Sequence, residues 1–406
     1  MTGKRDHLSL YQLLDPEVLA NPYPLYHRLR TEDPVHWDPY LHAWVATSYD
    51  AVVSILTHFS AVRTPTPERL EALNMARLSP IAKVMVQQML FLDPPQHTRV
   101  RALAAAAFAP RRVDRMRAHI AEIADGLLGR VAGEGGMDVI ADFANQLPAI
   151  VTAEMLGVPS ADHPQLKAWS ESFAEMLGNF QHNPERAGRL LADLQEMLDY
   201  FRAAIRRRSV VAGDGLISTM ATTEVAGERL TEDEAVANLV LTMVGGQETT
   251  TNLIGNGLLT LLRHESALAE LRADMSLVPS AAEELLRYES PSQHTARLAR
   301  EDVELGGKLI RRGQAAIAVM GAANRDPGQF PEPDVLDLQR SDNRHLAFGW
   351  SAHFCFGARL ARIEGQEAFS ALLNRFPEIR LASEEVTWRP NLGLRGLNSL
   401  PVKFGR

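Results

Sequence analysis

The strongest constraint on this chain is the decapeptide Phe348-Gly349-Trp350-Ser351-Ala352-His353-Phe354-Cys355-Phe356-Gly357, which holds the only cysteine in 406 residues. A lone cysteine is by itself compatible with a small buried apolar residue. Its surroundings point elsewhere. Glycines on both sides suit a folded-back loop, and from Ala358 onward the run Ala-Arg-Leu-Ala-Arg-Ile-Glu-Gly-Gln-Glu-Ala-Phe-Ser-Ala-Leu-Leu repeats apolar positions at helical spacing. Cys355 therefore stands where a loop enters a helix. At such a place the unpaired backbone N–H groups and the positive end of the helix dipole favour thiolate over thiol, as a metal ligand requires. The side chains of Phe348, Trp350, Phe354 and Phe356 suit a flat apolar cofactor better than a hydrolytic site.

The rest of the chain offers enough core for one large unit. Hydrophobic residues make up 46% and charged residues 23%, while the 27 glycines and 23 prolines are spread without a linker, repeat or low-complexity tract. A single domain over residues 1–406 is expected, helix-rich with a smaller β-containing part, rather than the two or three domains that ~150 residues apiece would give. A net charge of −8 argues against a nucleic-acid-binding surface. One cysteine excludes an internal disulfide and fits a reducing compartment. Met1–Leu10 mixes Lys4, Arg5, Asp6 and His7 with few apolar residues, unlike a signal peptide or an anchor, and no uncharged apolar run reaches the ~18 residues of a membrane span. A cytoplasmic monomer with no membrane partner is expected.

Along the chain, Val35-His-Trp-Asp and Ala43-Trp-Val-Ala-Thr read as a hairpin around Pro39, and Ser48 as the N-cap of a helix through Leu56. His97 to Phe108 reads as an alanine-rich helix with His97 and Arg101 four apart on one face, which taken alone suits a solvated basic face. Arg112 to Arg208 reads as mostly helical, broken near Gly133–Gly136, Gly157–Pro159 and Asn183–Pro184. Thr231 and Glu234 form a capping-box pattern that opens a helix to about Arg263. That helix is weak at its centre, where Gly245-Gly246 should cost about 1 kcal/mol each relative to alanine and the β-branched run Thr249-Thr250-Thr251 follows. Close helix packing or a functional distortion would each account for it. Ser280 and Glu283 read as a second capping box, for a helix ending before Pro291 that carries Glu284 and Arg287 three apart. Arg297-Leu-Ala-Arg-Glu-Asp-Val-Glu-Leu-Gly-Gly reads as strand and turn, with a second strand from Gln314 to Met320.

Several of these stretches together resemble the cytochrome P450 family, in family order from about Asn21 to the C-terminus. The cysteine loop is similar to the family's F-G-x-G-x-H-x-C-x-G, with Ser351 where a second glycine is usual. The resemblance implies a mainly α fold with small β-sheets and a haem lying between the long central helix and the helix after the loop. It makes Cys355 the metal ligand and Phe348, Gly349, His353 and Gly357 part of the haem-binding loop. Asp93-Pro-Pro-Gln-His-Thr-Arg-Val-Arg resembles the D-P-P-x-H-T-R-x-R pattern, which gives His97 and Arg101 to the haem propionates, with Arg297 a third cationic ligand and His353 a fourth polar one. Gly245-Gly246-Gln247-Glu248-Thr249 resembles the oxygen-binding groove, so the glycines would admit dioxygen and Glu248 and Thr249 would relay protons. Glu284 and Arg287 resemble the structural ion-pair motif, with Arg340 as third member.

The activity implied is monooxygenation: insertion of one oxygen atom from O2 into an apolar small molecule, by hydroxylation or epoxidation, at a haem b. A polyketide, terpenoid or similar natural-product intermediate is the expected substrate. Candidate contacts are Met89, Phe91, Phe180, Met243, Val244, His294 and Leu394; Phe173, Met176 and Phe180 in the helical middle third read first as core packing and only second as contacts. The sequence has no flavin or iron–sulfur segment, so electrons from NAD(P)H would arrive through a ferredoxin reductase and a ferredoxin. A basic patch of Arg101, Arg111, Arg112, Arg115, Arg359 and Arg362 could receive an acidic ferredoxin. Two other classes remain open at this stage: a haem-thiolate protein that binds or senses without turnover, and a hydrolase-like site with Cys355 as nucleophile and His353 as base.

Overall fold

The computed structural model of the chain describes residues 8–405 except 106–107, 175–183, 209–214 and 226. Phe180 and Met176 lie outside the described residues. The chain divides into two units, one comprising Met1–Phe59, Met116–Leu147 and Thr249–Arg406, the other Ser60–Arg115 and Pro148–Glu248. Among the described residues no helix is long and apolar enough to cross a membrane.

The first unit carries nine short strands: β1 (Val35–Asp38), β2 (Ala43–Ala46), β3 (Gly136–Asp138), β4 (Thr295–Leu298), β5 (Val303–Leu305), β6 (Lys308–Ile310), β7 (Ala315–Ala318), β8 (Arg380–Leu381) and β9 (Pro401–Lys403). They form sheets of order β1-β2-β7-β4, β3-β9-β8 and β5-β6. The β1–β2 hairpin is as expected, with Trp37 opposite Trp44. β2 runs parallel to β7, and β7 antiparallel to β4. Against this sheet the helix Tyr49–His58 packs Val52, Ile55 and Leu56, in a core that also takes in Phe330 and Leu346 and carries Trp350 on its edge. The approach to the cysteine loop is thus anchored in the sheet's core.

Two helix starts differ from expectation. Ser48 occupies an N-cap position, but its side chain makes no capping bond; the Tyr49 N–H donates instead to Asp326 Oδ2 at 2.7 Å. A carboxylate delivered from a distant segment satisfies the orphan donor and suits the helix dipole as well. The Ser280–Glu283 capping box does not form. The helix spans Val278–Tyr288 with Pro279 in its first turn, so Ser280 is already helical and its hydroxyl donates to Leu277 O at 3.0 Å.

The helix after the cysteine, Ala358–Arg375, packs on Arg117–Val131 and on Val278–Tyr288. It also meets the distal half of the long helix: the Phe369 ring lies where a Cβ on Gly257 would be only 2.5 Å away, so only glycine admits it.

Among the described residues, the regular structure of the second unit is helical apart from the isolated bridge of Val225 with Glu228. Its members include Gln96–Ala105, His163–Ala174, Pro184–Arg208 and the first half of the long helix. Phe173 is fully buried there. The Thr231–Glu234 box is intact: Thr231 N–H donates to Glu234 Oε2 at 2.9 Å and Glu234 N–H to Thr231 Oγ1 at 3.2 Å. The helix runs Glu232–Arg263, 32 residues or roughly 48 Å.

Candidate active site

The cysteine loop is closed by its own backbone. Cys355 N–H donates to Phe348 O at 2.8 Å, Gly349 N–H to Leu346 O at 2.8 Å and Phe354 N–H to Ser351 O at 3.1 Å. Gly349 has φ +71° and Ser351 φ +57°, both in the left-handed region. A side chain there is strained, which explains why the family pattern prefers glycine at the position held by Ser351. After a 3-10 turn at Ser351–His353 the chain passes Cys355 and enters the helix at Ala358. The thiol is exposed, and Phe354 beside it is 37% exposed, an uncommon state for a large aromatic residue. Phe348 and Phe354 lie 6.1 Å apart, tilted. His353 and Phe356 are half-buried.

In the long helix the two central glycines face different surroundings. A Cβ on Gly246 would sit 2.8 Å from Thr152 Oγ1, whereas one on Gly245 meets nothing within 4 Å. Gly245 is exposed although Thr242, Met243 and Val244 before it are buried. Glu248 is buried and Thr249 half-buried. The helix is continuous through this stretch.

In the second unit, His97 is buried and Arg101 half-buried, one turn apart on the helix Gln96–Ala105. Met89 N–H donates to Asn238 Oδ1 at 2.9 Å, and Asn238 Nδ2 to Gln87 O at 2.9 Å. These bonds fix the Met89–Phe91 turn beside the first half of the long helix, the half that bears Met243 and Val244. All four of these apolar residues are buried. The Arg63 guanidinium lies over the Phe91 ring at 4.4 Å.

In the first unit, Arg297 is buried on β4, its Nη1 donating to Ala296 O at 2.9 Å and Thr295 Oγ1 at 3.0 Å. Gln293 N–H donates to Gly393 O and Arg395 N–H to Pro291 O, both at 2.8 Å. This pairing sets His294 and Leu394 on neighbouring segments. Burial lowers the His294 pKa from 6.5 to about 4 against a backbone hydrogen bond with Leu392, so the ring is neutral at pH 7.

Comparison with known proteins bears on this arrangement. The cytochrome P450 family profile matches residues 73–394. The chain belongs to the cytochrome P450 family. A biotin biosynthesis cytochrome P450 of Bacillus subtilis (strain 168) is 39% identical over 391 residues, 96% of this chain and 97% of that protein. The polyketide biosynthesis cytochrome P450 PksS of the same organism is 38% identical over 400 residues, covering 96% and 97%. A crystal structure of P450BioI in complex with hexadec-9Z-enoic acid ligated acyl carrier protein superposes with TM-score 0.90 at 40% identity, covering 96% of this chain and 99% of that one.

The P450 fold carries with it a haem iron, a redox partner and oxidoreductase, monooxygenase chemistry. The residues around the cysteine fit that group: the thiol is exposed on a loop that carries aromatic rings at the start of a helix.

Three features of this P450 were only partly readable. Glu284 and Arg287, both 0% exposed, form a fork–fork pair at 2.7 and 2.8 Å; Arg340 Nε joins at 3.2 Å and Asn343 Nδ2 at 3.1 Å. Arg287 Nη1 also donates to Asn324 O and Pro333 O. Burial turns a weak surface motif into a strongly constrained one. Arg362, expected in the basic patch, is instead committed to Glu283. Glu364 is buried, and its Oε2 has no hydrogen-bond partner among the described residues; burial pushes its pKa well above the ordinary carboxylate value. Its one sequence signal is an acidic residue on the apolar face of the helix that follows the cysteine.

Proposed function

We propose that this P450 inserts one oxygen atom from O2 into a largely apolar natural-product intermediate, a polyketide, terpenoid or long-chain acyl molecule, by hydroxylation or epoxidation. The polyketide pathway named for PksS and the hexadecenoyl carrier protein bound by P450BioI support that range. The observation that carries the reading is the single thiol, exposed on a backbone-closed loop among aromatic rings.

In this reading the Cys355 sulfur would ligate a haem b, which when bound would supply the activation of dioxygen. The loop residues Phe348, Gly349, His353 and Gly357 shape its seat. His97, Arg101, Arg297 and His353 hold the propionates by charge and hydrogen bonds. Gly245 would leave room for dioxygen, whereas the space beside Gly246 is taken by Thr152, and the Glu248 carboxyl and the Thr249 hydroxyl would hold and pass protons. Met89, Phe91, Met243, Val244 and Leu394 exclude water and hold the apolar substrate, with the neutral His294 available to a polar group on it. Per turnover one oxygen atom enters the substrate and the other leaves as water, which consumes two electrons and two protons. The electrons come from NAD(P)H through a ferredoxin reductase and a ferredoxin to a monomeric, cytoplasmic enzyme.

The test is the reduced, carbon-monoxide-bound spectrum of the haem-loaded protein and of Cys355→Ser, followed by spectral titration with acyl, polyketide and terpenoid ligands. A thiolate-type Soret band that Cys355→Ser abolishes, along with oxygen insertion, is expected. A band and turnover unchanged in Cys355→Ser would refute the assignment.

A further inference from the structure

Glu283 and Glu284 are adjacent but serve different clusters. Glu284 is taken up by Arg287 and Arg340, whereas Glu283 Oε1 accepts Arg362 Nε at 2.7 Å and Glu283 Oε2 accepts Arg362 Nη2 at 2.8 Å. Glu283 Oε2 also meets His345 Nε2 at 3.1 Å, and His345 Nδ1 accepts the Ala347 N–H at 3.3 Å. With Nδ1 accepting, Nε2 is the ring nitrogen that presents its N–H to Glu283. Three separate segments converge here: the helix Val278–Tyr288, the approach to the cysteine loop and the helix Ala358–Arg375.

Their shared target is Phe348. The Arg362 Cζ lies over its ring, 4.5 Å from the centroid, and the His345 ring is 5.8 Å from it. Phe348 is also the residue whose carbonyl accepts the Cys355 N–H. Arg362 and Glu283 are 31% and 27% exposed, so the pair is partly removed from water, where a two-pronged bond is directional.

We propose that Arg362, held by Glu283, which His345 also bonds, is a positioning residue for Cys355: it pins the Phe348 ring so that the Phe348 carbonyl keeps its bond to the Cys355 amide and the sulfur keeps one direction. The role needs the planar fork and the flat face of the guanidinium together, and a lysine ammonium offers neither. A docking role in a basic patch would need only the charge. The spectroscopic part of the proposal rests on Cys355 as haem ligand; the backbone part does not.

The experiment compares the haem-loaded wild type with Arg362→Gln, Arg362→Lys and Glu283→Gln by amide hydrogen exchange over residues 348–357 and by the reduced carbon-monoxide spectrum. Exchange at Cys355 at least tenfold faster in both Arg362 variants, an intermediate effect in Glu283→Gln and a larger fraction of pigment without the thiolate band are expected. If Arg362→Gln does not fold, the other two variants carry the comparison. Wild-type exchange in Arg362→Lys, or in Glu283→Gln together with it, overturns the proposal. A thiolate band that persists in Cys355→Ser would refute the haem-ligand reading alone, and the exchange rates would still decide whether Arg362 positions the loop.

Discussion

Thr152 and Gly246 offer a quantitative test of how the long helix is built. Thr152 Oγ1 is buried without a hydrogen-bond partner among the described residues, and a Cβ on Gly246 would lie 2.8 Å from it and 3.3 Å from Thr152 Cγ2. Gly246→Ala alone gains about 1 kcal/mol of helix propensity but forces overpacking worth about 1–3 kcal/mol, for a net loss of up to about 2 kcal/mol. Thr152→Ala relieves an unsatisfied buried hydroxyl, about 1–3 kcal/mol, while losing a buried methyl worth about 0.8 kcal/mol and creating a small cavity, so it is near neutral. In the double variant the collision is gone and the propensity gain remains. The two substitutions should therefore couple by about 1–3 kcal/mol in favour of the pair. Urea unfolding of the four haem-loaded proteins measures this, and the carbon-monoxide spectrum should stay unchanged because the missing Cβ of Gly246 points at Thr152. Additivity within about 0.5 kcal/mol would refute the packing argument.

Three further outcomes follow from the same geometry. Glu284→Ala leaves Arg287 buried with only carbonyl partners and should cost about 3–5 kcal/mol in thermal or denaturant unfolding followed at the Soret band, a large share of a typical total of about 5–15 kcal/mol. A loss below about 1 kcal/mol would contradict the buried-pair account. Glu364 has its pKa raised by burial above 4.5, so the folded state binds a proton that the unfolded state releases at neutral pH; this costs stability as pH rises above 4.5 and until the folded pKa is passed. Glu364→Gln should accordingly be more stable than wild type at pH 7–8, the difference shrinking towards pH 4, and an opposite slope in pH-dependent unfolding would show that the carboxylate is paired. Ser351→Gly removes a side chain from φ +57° and should raise stability by about 0.5–1 kcal/mol, read as a higher melting midpoint; a lower midpoint would mean that the hydroxyl holds the loop.

The sequence by itself determined what local chemistry and covalent order can encode. The Thr231–Glu234 box and the end near Arg263 defined the long helix, the run after Gly357 defined the helix that follows the cysteine, and the β1–β2 hairpin was set by alternation around Pro39. The lone cysteine among glycines and aromatic residues located the loop, whereas the left-handed torsion at Ser351 emerged only from the structure. Tertiary structure decided whatever depends on partners far along the chain. β3 exists because β9, more than 260 residues later, pairs with it, and a π-helical turn at Val139–Ala144 follows where plain helix was expected. Spacing alone could not tell that Pro279 would override the Ser280–Glu283 box, that Glu283 would instead seize Arg362, or that Gly245 and Gly246 would face open space and a threonine respectively. Burial made the Glu284–Arg287 pair strong and raised the Glu364 pKa, because the cost of a charge depends on how much water and which counter-charges surround it, and a linear string of residues specifies neither.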